Sequence, residues 1–181
     1  IHGPELIAGA VALGLLQSVV DGAGPAASLR ARAELWVIPC LNPDGYARTW
    51  QREGRGKLAR LRPNDNGVDL NRNFPLPGDT RPSRWLPGAG SDRPGNATFR
   101  GPAPLSEPET RALDTLLREQ RFAASVNLHS FMGTLIPARV TDRPSYRRYR
   151  RLCAAFRAAQ PRRRYRRLAS RVLDVFTGEL E

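Results

Sequence analysis

The chain has 181 residues, 40% of them hydrophobic, and a formal net charge of +12. That is enough for one sizeable core, so a single domain over 1–181 is the expectation. No apolar stretch reaches the roughly 20 uncharged residues that a membrane-spanning helix needs, and two cysteines, Cys40 and Cys153, do not make a disulfide framework in a chain this long.

The charge is uneven. Arg143 to Glu181 carries twelve arginines against Asp174, Glu179 and Glu181, so this quarter holds +9 of the total, and Lys57 is the sole lysine. Such a bias looks more like genome composition than selection for phosphate contacts, which draw on Lys as a point charge and Arg as a fork.

In chain order, Glu5 to Val20 is rich in Ala, Leu, Ile and Val and apolar on nearly all sides, which predicts a buried helix. Asp21-Gly22-Ala23-Gly24-Pro25 stops it. Glu34 to Leu41 is the continuous apolar run of a strand covered on both faces, with Cys40 buried in it. Asn42-Pro43-Asp44-Gly45 then reads as turn chemistry. From Phe74 to Pro104 the chain is dense in Pro and Gly without a period, a long loop. Order resumes at Leu105, where Ser106 is placed to cap a helix, Glu109 to complete a capping box and Pro108 to occupy the first turn, and this helix runs to about Gln120. Strands are predicted over Phe122–Leu128 and Thr134–Val140, an Arg-studded helix over Pro144–Gln160, and a partly helical stretch over Arg162–Asp174. The alternation argues an α/β fold, a sheet with helices on both faces, in which sites form at the carboxyl ends of strands.

The chain has two histidines. His2 precedes Glu5 by three residues, and His129 ends the apolar run Ala123–Leu128. Two imidazoles and one carboxylate form the His₂Glu ligand set of a catalytic zinc, which leaves a fourth position for water. His-x-x-Glu alone is a weak signal, and a hydrogen-bonded core histidine is the plain alternative for His129. The signal strengthens through three further motifs: Asn42-Pro43-Asp44-Gly45-Tyr46, Gly67-Val68-Asp69-Leu70-Asn71-Arg72-Asn73-Phe74, and Asn127-Leu128-His129-Ser130-Phe131.

In this order and at these separations the chain resembles the zinc metallocarboxypeptidases, the carboxypeptidase A/B-like peptidases, over essentially its whole length. The resemblance implies a carboxypeptidase-like mixed, largely parallel sheet and one zinc ion held by His2, Glu5 and His129. It implies that Asn71 and Arg72 hold the terminal carboxylate of a peptide or peptide-like substrate, a task that suits the planar fork of a guanidinium. Arg62 stands where bacterial members place the arginine that polarises the scissile carbonyl, and Asp69 matches the acid that supports the first zinc histidine through its second nitrogen. The plainer readings are a turn cap for Asp69 and a surface cation for Arg72. Thr98–Pro102 and Leu105–Thr110 also match the family and look structural. Asn96-Ala97-Thr98 fits a glycosylation acceptor, a short and frequent pattern.

The implied activity is hydrolysis of a C-terminal peptide or amide bond by zinc-activated water, with a glutamate as general base. By family spacing that glutamate, and the tyrosine that closes over substrate, fall beyond Glu181, so neither Glu179 nor Glu181 is assigned to catalysis. The matched region therefore reads as incomplete at both ends of a bacterial-type member. Localisation and oligomeric state stay open, with bacterial cytoplasm, periplasm and secretion all compatible. A membrane partner is not expected. Two other readings are a catalytically inactive, carboxylate-binding relative, and a basic nucleic-acid module built on Arg147-Arg148, Arg150-Arg151, Arg162-Arg163-Arg164 and Arg166-Arg167 with Tyr146, Tyr149 and Tyr165 between them. Tyr146, Tyr149, Cys153 and Phe156 fall at helical intervals, which favours a solvated arginine face over the nucleic-acid reading.

Overall fold

A computed structural model describes residues 1–22, 24–75, 90–130, 133–137, 142–160 and 165–167. The elements are α1 (Leu6–Val20), a 3₁₀ turn (Gly24–Ala26), α2 (Ala27–Arg30), α3 (Pro43–Gln51), α4 (Leu58–Leu61), a second 3₁₀ turn (Leu70–Arg72), α5 (Pro108–Glu119), β1 (Thr134–Leu135), α6 (Arg143–Ala158) and β2 (Arg166–Arg167). β1 and β2 pair in parallel, Thr134 with Arg166 and Leu135 with Arg167.

The helix α1 forms where the sequence places it and ends at Asp21 and Gly22, whose φ of 64° is the left-handed conformation that suits glycine. It is not buried as expected: among its residues Val19 alone is buried, while Ile7 is 70% and Val11 54% exposed. Composition states what environment a helix favours; the described neighbours, α2 and the Gly24–Ala26 turn, cover only part of it. Gly9 does lie close to another segment, since a Cβ there would stand 3.0 Å from the Pro39 carbonyl oxygen.

The two apolar runs expected as strands, 34–41 and 122–128, carry no ladder among the described residues. They do touch at one point, where Trp36 meets Phe122 edge to face at 5.8 Å between ring centres. Cys40, expected to be buried, is exposed, whereas Cys153 is buried on α6. A ladder needs a partner backbone about 4.8 Å away, and an apolar run does not supply that partner by itself.

Asn42-Pro43-Asp44-Gly45 begins a helix rather than making a free turn. The Asn42 side chain accepts from the Gly45 amide at 2.8 Å, and Pro43 fills the first helical position. Asn and Pro suit a helix start as well as a turn, which is why the four residues alone do not separate the two. At α5 the expected capping box is replaced. Glu107 takes the cap position without a side-chain cap bond, Ser106 bonds Glu107 and Asn73, and Glu109 faces Asn64. Pro108 sits in the first turn as expected. Within the predicted Arg162–Asp174 helical stretch, Arg166–Arg167 are strand, and its other residues apart from Tyr165 lie outside the described ones; so do 138–140 of the strand predicted beyond Leu135. No single helix among the described residues is long and apolar enough to cross a membrane.

The best-buried region lies around the Leu70–Arg72 turn. Leu61, Val68, Leu70, Phe74 and Leu113 provide its apolar part, and Asn42, Thr49, Asn64, Asp69, Asn71, Arg72, Asn73, Glu107 and Thr110 are buried among them. Buried polar groups are costly unless bonded, so this region is defined by specific hydrogen bonds as much as by apolar contact.

Candidate metal centre

Glu5 stands at the N-terminal boundary of α1 but makes no side-chain cap bond to the helix. Its carboxylate turns to the histidines instead. Oε1 lies 3.1 Å from His2 Nδ1, and both oxygens lie 3.0 Å from His129 Nδ1. The two imidazole rings are 5.1 Å apart between centres. One ligand atom from each of His2, Glu5 and His129 lies within 4.8 Å of the others.

The other nitrogen of His2, Nε2, faces Asp69 Oδ1 at 3.1 Å. Asp69 is fully buried, and it also accepts from Arg62 Nε at 2.7 Å on Oδ2 and from the Asn71 backbone amide at 3.0 Å on Oδ1. Burial would raise the Asp69 carboxyl, but the bond to His2 and the positive charge of Arg62 outweigh it and hold the pKa below the ordinary value. Burial acts in the same direction on Glu5, where the closeness of His129 and then of His2 prevails and holds it well below the usual carboxylate range. Both acids are therefore ionised at neutral pH.

These protonation states decide what the cluster can hold. An ionised Asp69 accepts a hydrogen bond from Nε2–H, and the tautomer that donates there carries its lone pair on Nδ1. That Nδ1 is buried without a hydrogen-bond partner. It faces a Glu5 carboxylate that also offers only lone pairs, an arrangement that calls for a cation between them. Tetrahedral zinc with bonds of about 2.0–2.2 Å spaces its N and O ligands about 3.3–3.5 Å apart, and the two histidine–Glu5 separations, 3.1 Å and 3.0 Å, lie close to that. The donor set fits zinc.

Local structure delivers each member. Gly3, between His2 and Pro4, passes so close to its neighbours that a Cβ would meet the Leu61 carbonyl oxygen at 2.2 Å and that of Gly45 at 2.3 Å. Asn42 Nδ2 donates to the Arg62 carbonyl at 3.2 Å, which ties the start of α3 to the end of α4. Arg62 follows α4 as its C-terminal boundary and reaches Asp69 through Nε. Asp69 leads directly into the Leu70–Arg72 turn, where Asn71 and Arg72 are both buried and Arg72 Nη1 donates to the Asn71 carbonyl at 2.7 Å. Arg72 is thus not the exposed surface cation that its type alone would favour. The structure brings His2, Glu5 and His129 into one cluster, attaches Asp69 and Arg62 to its inner side, and sets Asn71 and Arg72 on the adjoining turn.

Asn42, Asn64, Asn73, Glu107 and Thr110 belong to the frame around this site and were not singled out as site residues from the sequence. Asn64 and Glu107 are bonded across 43 positions, so no local spacing marks the pair.

His2 is buried, Glu5 half-buried and His129 exposed, and with Asp69 bonded behind His2 the three form a cluster that could hold a metal ion. The zinc carboxypeptidase family model matches residues 1–172, and the chain belongs to that family. It is 34% identical over 110 residues to mast cell carboxypeptidase A of Rattus norvegicus, covering 58% of this chain and 25% of that protein. With carboxypeptidase O of Bos taurus the identity is 30% over 144 residues, covering 75% of this chain and 36% of the relative. With carboxypeptidase SOL1 of Arabidopsis thaliana it is 32% over 139 residues, 75% and 22%. All three are eukaryotic, and none of them supports the bacterial-type expectation drawn from the Arg62 position. The chain spans between about a quarter and about a third of the length of the first two of these relatives.

Among solved structures, thrombin activatable fibrinolysis inhibitor superposes with a TM-score of 0.76 at 22% identity, covering 98% of this chain and 47% of that one. The bovine form, in complex with tick carboxypeptidase inhibitor, superposes with a TM-score of 0.70 at 23% identity, covering 99% and 62%. The fold is the α/β carboxypeptidase fold, although few of its strands are paired among the described residues.

Proposed function

We propose that the protein is a zinc-dependent metallocarboxypeptidase that hydrolyses the C-terminal peptide or amide bond of a peptide or peptide-like substrate. The observation that carries this reading is the convergence of His2, Glu5 and His129 with Asp69 bonded behind His2. His2 Nδ1, a Glu5 oxygen and His129 Nδ1 would hold one zinc ion. When bound, zinc supplies Lewis-acid polarisation and a water of lowered pKa.

The remaining work belongs to the chain's own groups. Asp69 fixes the tautomer and orientation of the His2 ring. Arg62 is anchored by Asp69 through Nε alone, so its terminal nitrogens are available to polarise the scissile carbonyl and stabilise oxyanion charge. Asn71 and Arg72 hold the terminal carboxylate, which places the last bond of the substrate at the metal and makes the enzyme an exopeptidase. The adjacent segments 34–41 and 122–128 are neighbouring strands of the largely parallel sheet in this reading, with His129 at the carboxyl end of the second.

The test is hydrolysis of a short peptide with a free C-terminus by the full natural protein. Activity abolished by a chelator, restored by zinc and absent on the C-terminally amidated peptide supports the proposal. Equal cleavage of both peptides, or activity indifferent to chelation, contradicts it.

A further inference from the structure

The Leu70–Arg72 turn is three residues long and does not hold itself in place. The residue that follows it, Asn73, is bonded to groups that the proposed chemistry does not use. Asn73, immediately after Arg72, is 1% exposed. Its Nδ2 donates to the carbonyls of Arg100 at 2.8 Å and Ala103 at 3.0 Å and to Ser106 Oγ at 2.9 Å. Its Oδ1 accepts from the Glu107 amide at 3.2 Å and from Thr110 Oγ1 at 2.6 Å, and its backbone carbonyl accepts from Leu105 N at 2.7 Å. The segment that receives it is held under strain, for Leu105 has a φ of 57° without being glycine. Gly101 leaves the necessary space, since a Cβ there would stand 2.6 Å from Ser106 Oγ and 2.8 Å from Asn73 Nδ2.

The other end of the same loop is held by Glu107. Its Oε2 accepts from Asn64 Nδ2 and Asn66 Nδ2, each at 2.7 Å, and its Oε1 from Ser106 Oγ at 2.7 Å. Asn64 passes this constraint on: its Oδ1 accepts from the Val68 amide at 3.1 Å, and its own amide donates to the Val68 carbonyl at 3.0 Å. Val68 and Asn73 are therefore both fastened to the start of α5. Asp69, Asn71 and Arg72 lie between these two fixed points.

We propose that Glu107 and Asn73 are positioning residues, which fix the distance between the metal cluster and the carboxylate-reading pair Asn71–Arg72 and so set which substrate bond meets the metal. The proposal rests on the carboxypeptidase reading. In that reading the last peptide bond is selected because the terminal carboxylate is held at one fixed span from the metal. Asp69 marks one end of the span through His2, and Arg72 the other. A loop free to shift by an ångström would still bind both groups but would lose the preference for a free C-terminus, because near-attack geometry tolerates little displacement.

The test uses the full natural protein loaded with zinc. Calorimetry compares N-acetylphenylalanine with its C-terminal amide, and chelator competition measures zinc affinity. Glu107→Gln replaces one of the two acceptor oxygens by an NH₂ group, so that, whichever way the amide turns, either Asn64 and Asn66 or Ser106 Oγ meets a donor in place of an acceptor. It should lower the preference for carboxylate over amide about tenfold or more, as expected for a buried donor left unsatisfied, with zinc affinity held within about threefold, well short of the loss of a bonded partner at the metal. Thr110→Val removes one bond to Asn73 with the shape kept and should act in the same direction, while Thr110→Ser, which keeps the hydroxyl, should restore the wild-type preference. If Glu107→Gln fails to fold, the Thr110 pair decides. An undiminished preference in folded variants overturns the proposal, as does a parallel loss of zinc and preference that tracks the loss of folded protein. A wild-type protein that binds acid and amide equally overturns instead the carboxypeptidase reading beneath it.

Discussion

The loop from Asn42 to Phe74 together with the start of α5 differs in kind from the apolar segments α1, 34–41 and 122–128. In the first region many polar residues are buried, with Asp69, Asn73 and Thr110 closed off from solvent, although Tyr46, Trp50 and Leu58 are exposed. The second is rich in Leu, Ile, Val and Trp, yet Ile7, Val11, Trp36 and Val126 are exposed. Hydrogen bonds name their partners: Asn73 and Glu107 each satisfy several groups whose positions follow from theirs. The hydrophobic effect is non-directional and acts only on area that something covers. The two regions show that a polar network specifies a local structure from within, whereas an apolar run states a requirement that other parts of a fold must meet.

The largest effect that would sharpen this contrast is at the metal. His129→Ala or His2→Ala removes one of three protein ligands and should abolish stoichiometric zinc in metal analysis, a loss beyond the roughly 10–100-fold that outer partners cost. Zinc content equal to that of the parent would refute the ligand assignment. Asp69→Asn comes next. It leaves His2 in place but removes the charged acceptor at Nε2, and zinc affinity should fall by about 10–100-fold, read by chelator competition.

Within the polar frame, Asn73→Ala removes the group that joins Arg100, Ala103, Ser106, Glu107 and Thr110. It should cost at least the roughly 1–3 kcal/mol of one buried unsatisfied polar group, seen in denaturant unfolding. The acid limb offers a second measure. Burial raises the Glu107 carboxyl, but bonds from Asn64, Ser106 and Asn66 outweigh it and lower its pKa. A group lowered on folding stabilises the native state fully above its unfolded value of about 4.3 and loses that contribution as pH falls through the folded value. Stability should therefore drop on acidification below that point, and Glu107→Gln should flatten this limb relative to the parent. A polar substitution on the apolar side, Val126→Thr, should shift stability least, within about 0.5 kcal/mol; a larger loss would show that the exposed run is covered in solution.

The convergence of His2, Glu5 and His129 and the acid beside His2 were legible because the chemistry of a metal site restricts residue type. Two histidines leave few ways to build a His₂Glu site, and Asp69, Asn71 and Arg72 share one short motif. Helices α1, α5 and α6 were legible from apolar content, Pro at the first turn and periodicity. What surrounds the site was not. The Asn64–Glu107 bond spans 43 positions, and asparagine, serine and glutamate at such distances carry no spacing rule. Asn42 and Ser106 show a second limit, since residues that suit turns also suit caps, and the choice depends on which partner arrives. Cys40 and the body of α1 show a third, because burial is a property of the neighbours and composition expresses only the preference.

The central claim is that His2, Glu5 and His129 form one metal site with both imidazoles bound through Nδ1. X-ray absorption at the zinc edge on the zinc-loaded protein tests it most directly. Two imidazoles with oxygen ligands at about 2.0–2.2 Å in four- or five-fold coordination, and one imidazole fewer in His129→Ala, is the result this account predicts. A thiolate ligand, or an unchanged imidazole count in His129→Ala, would contradict it.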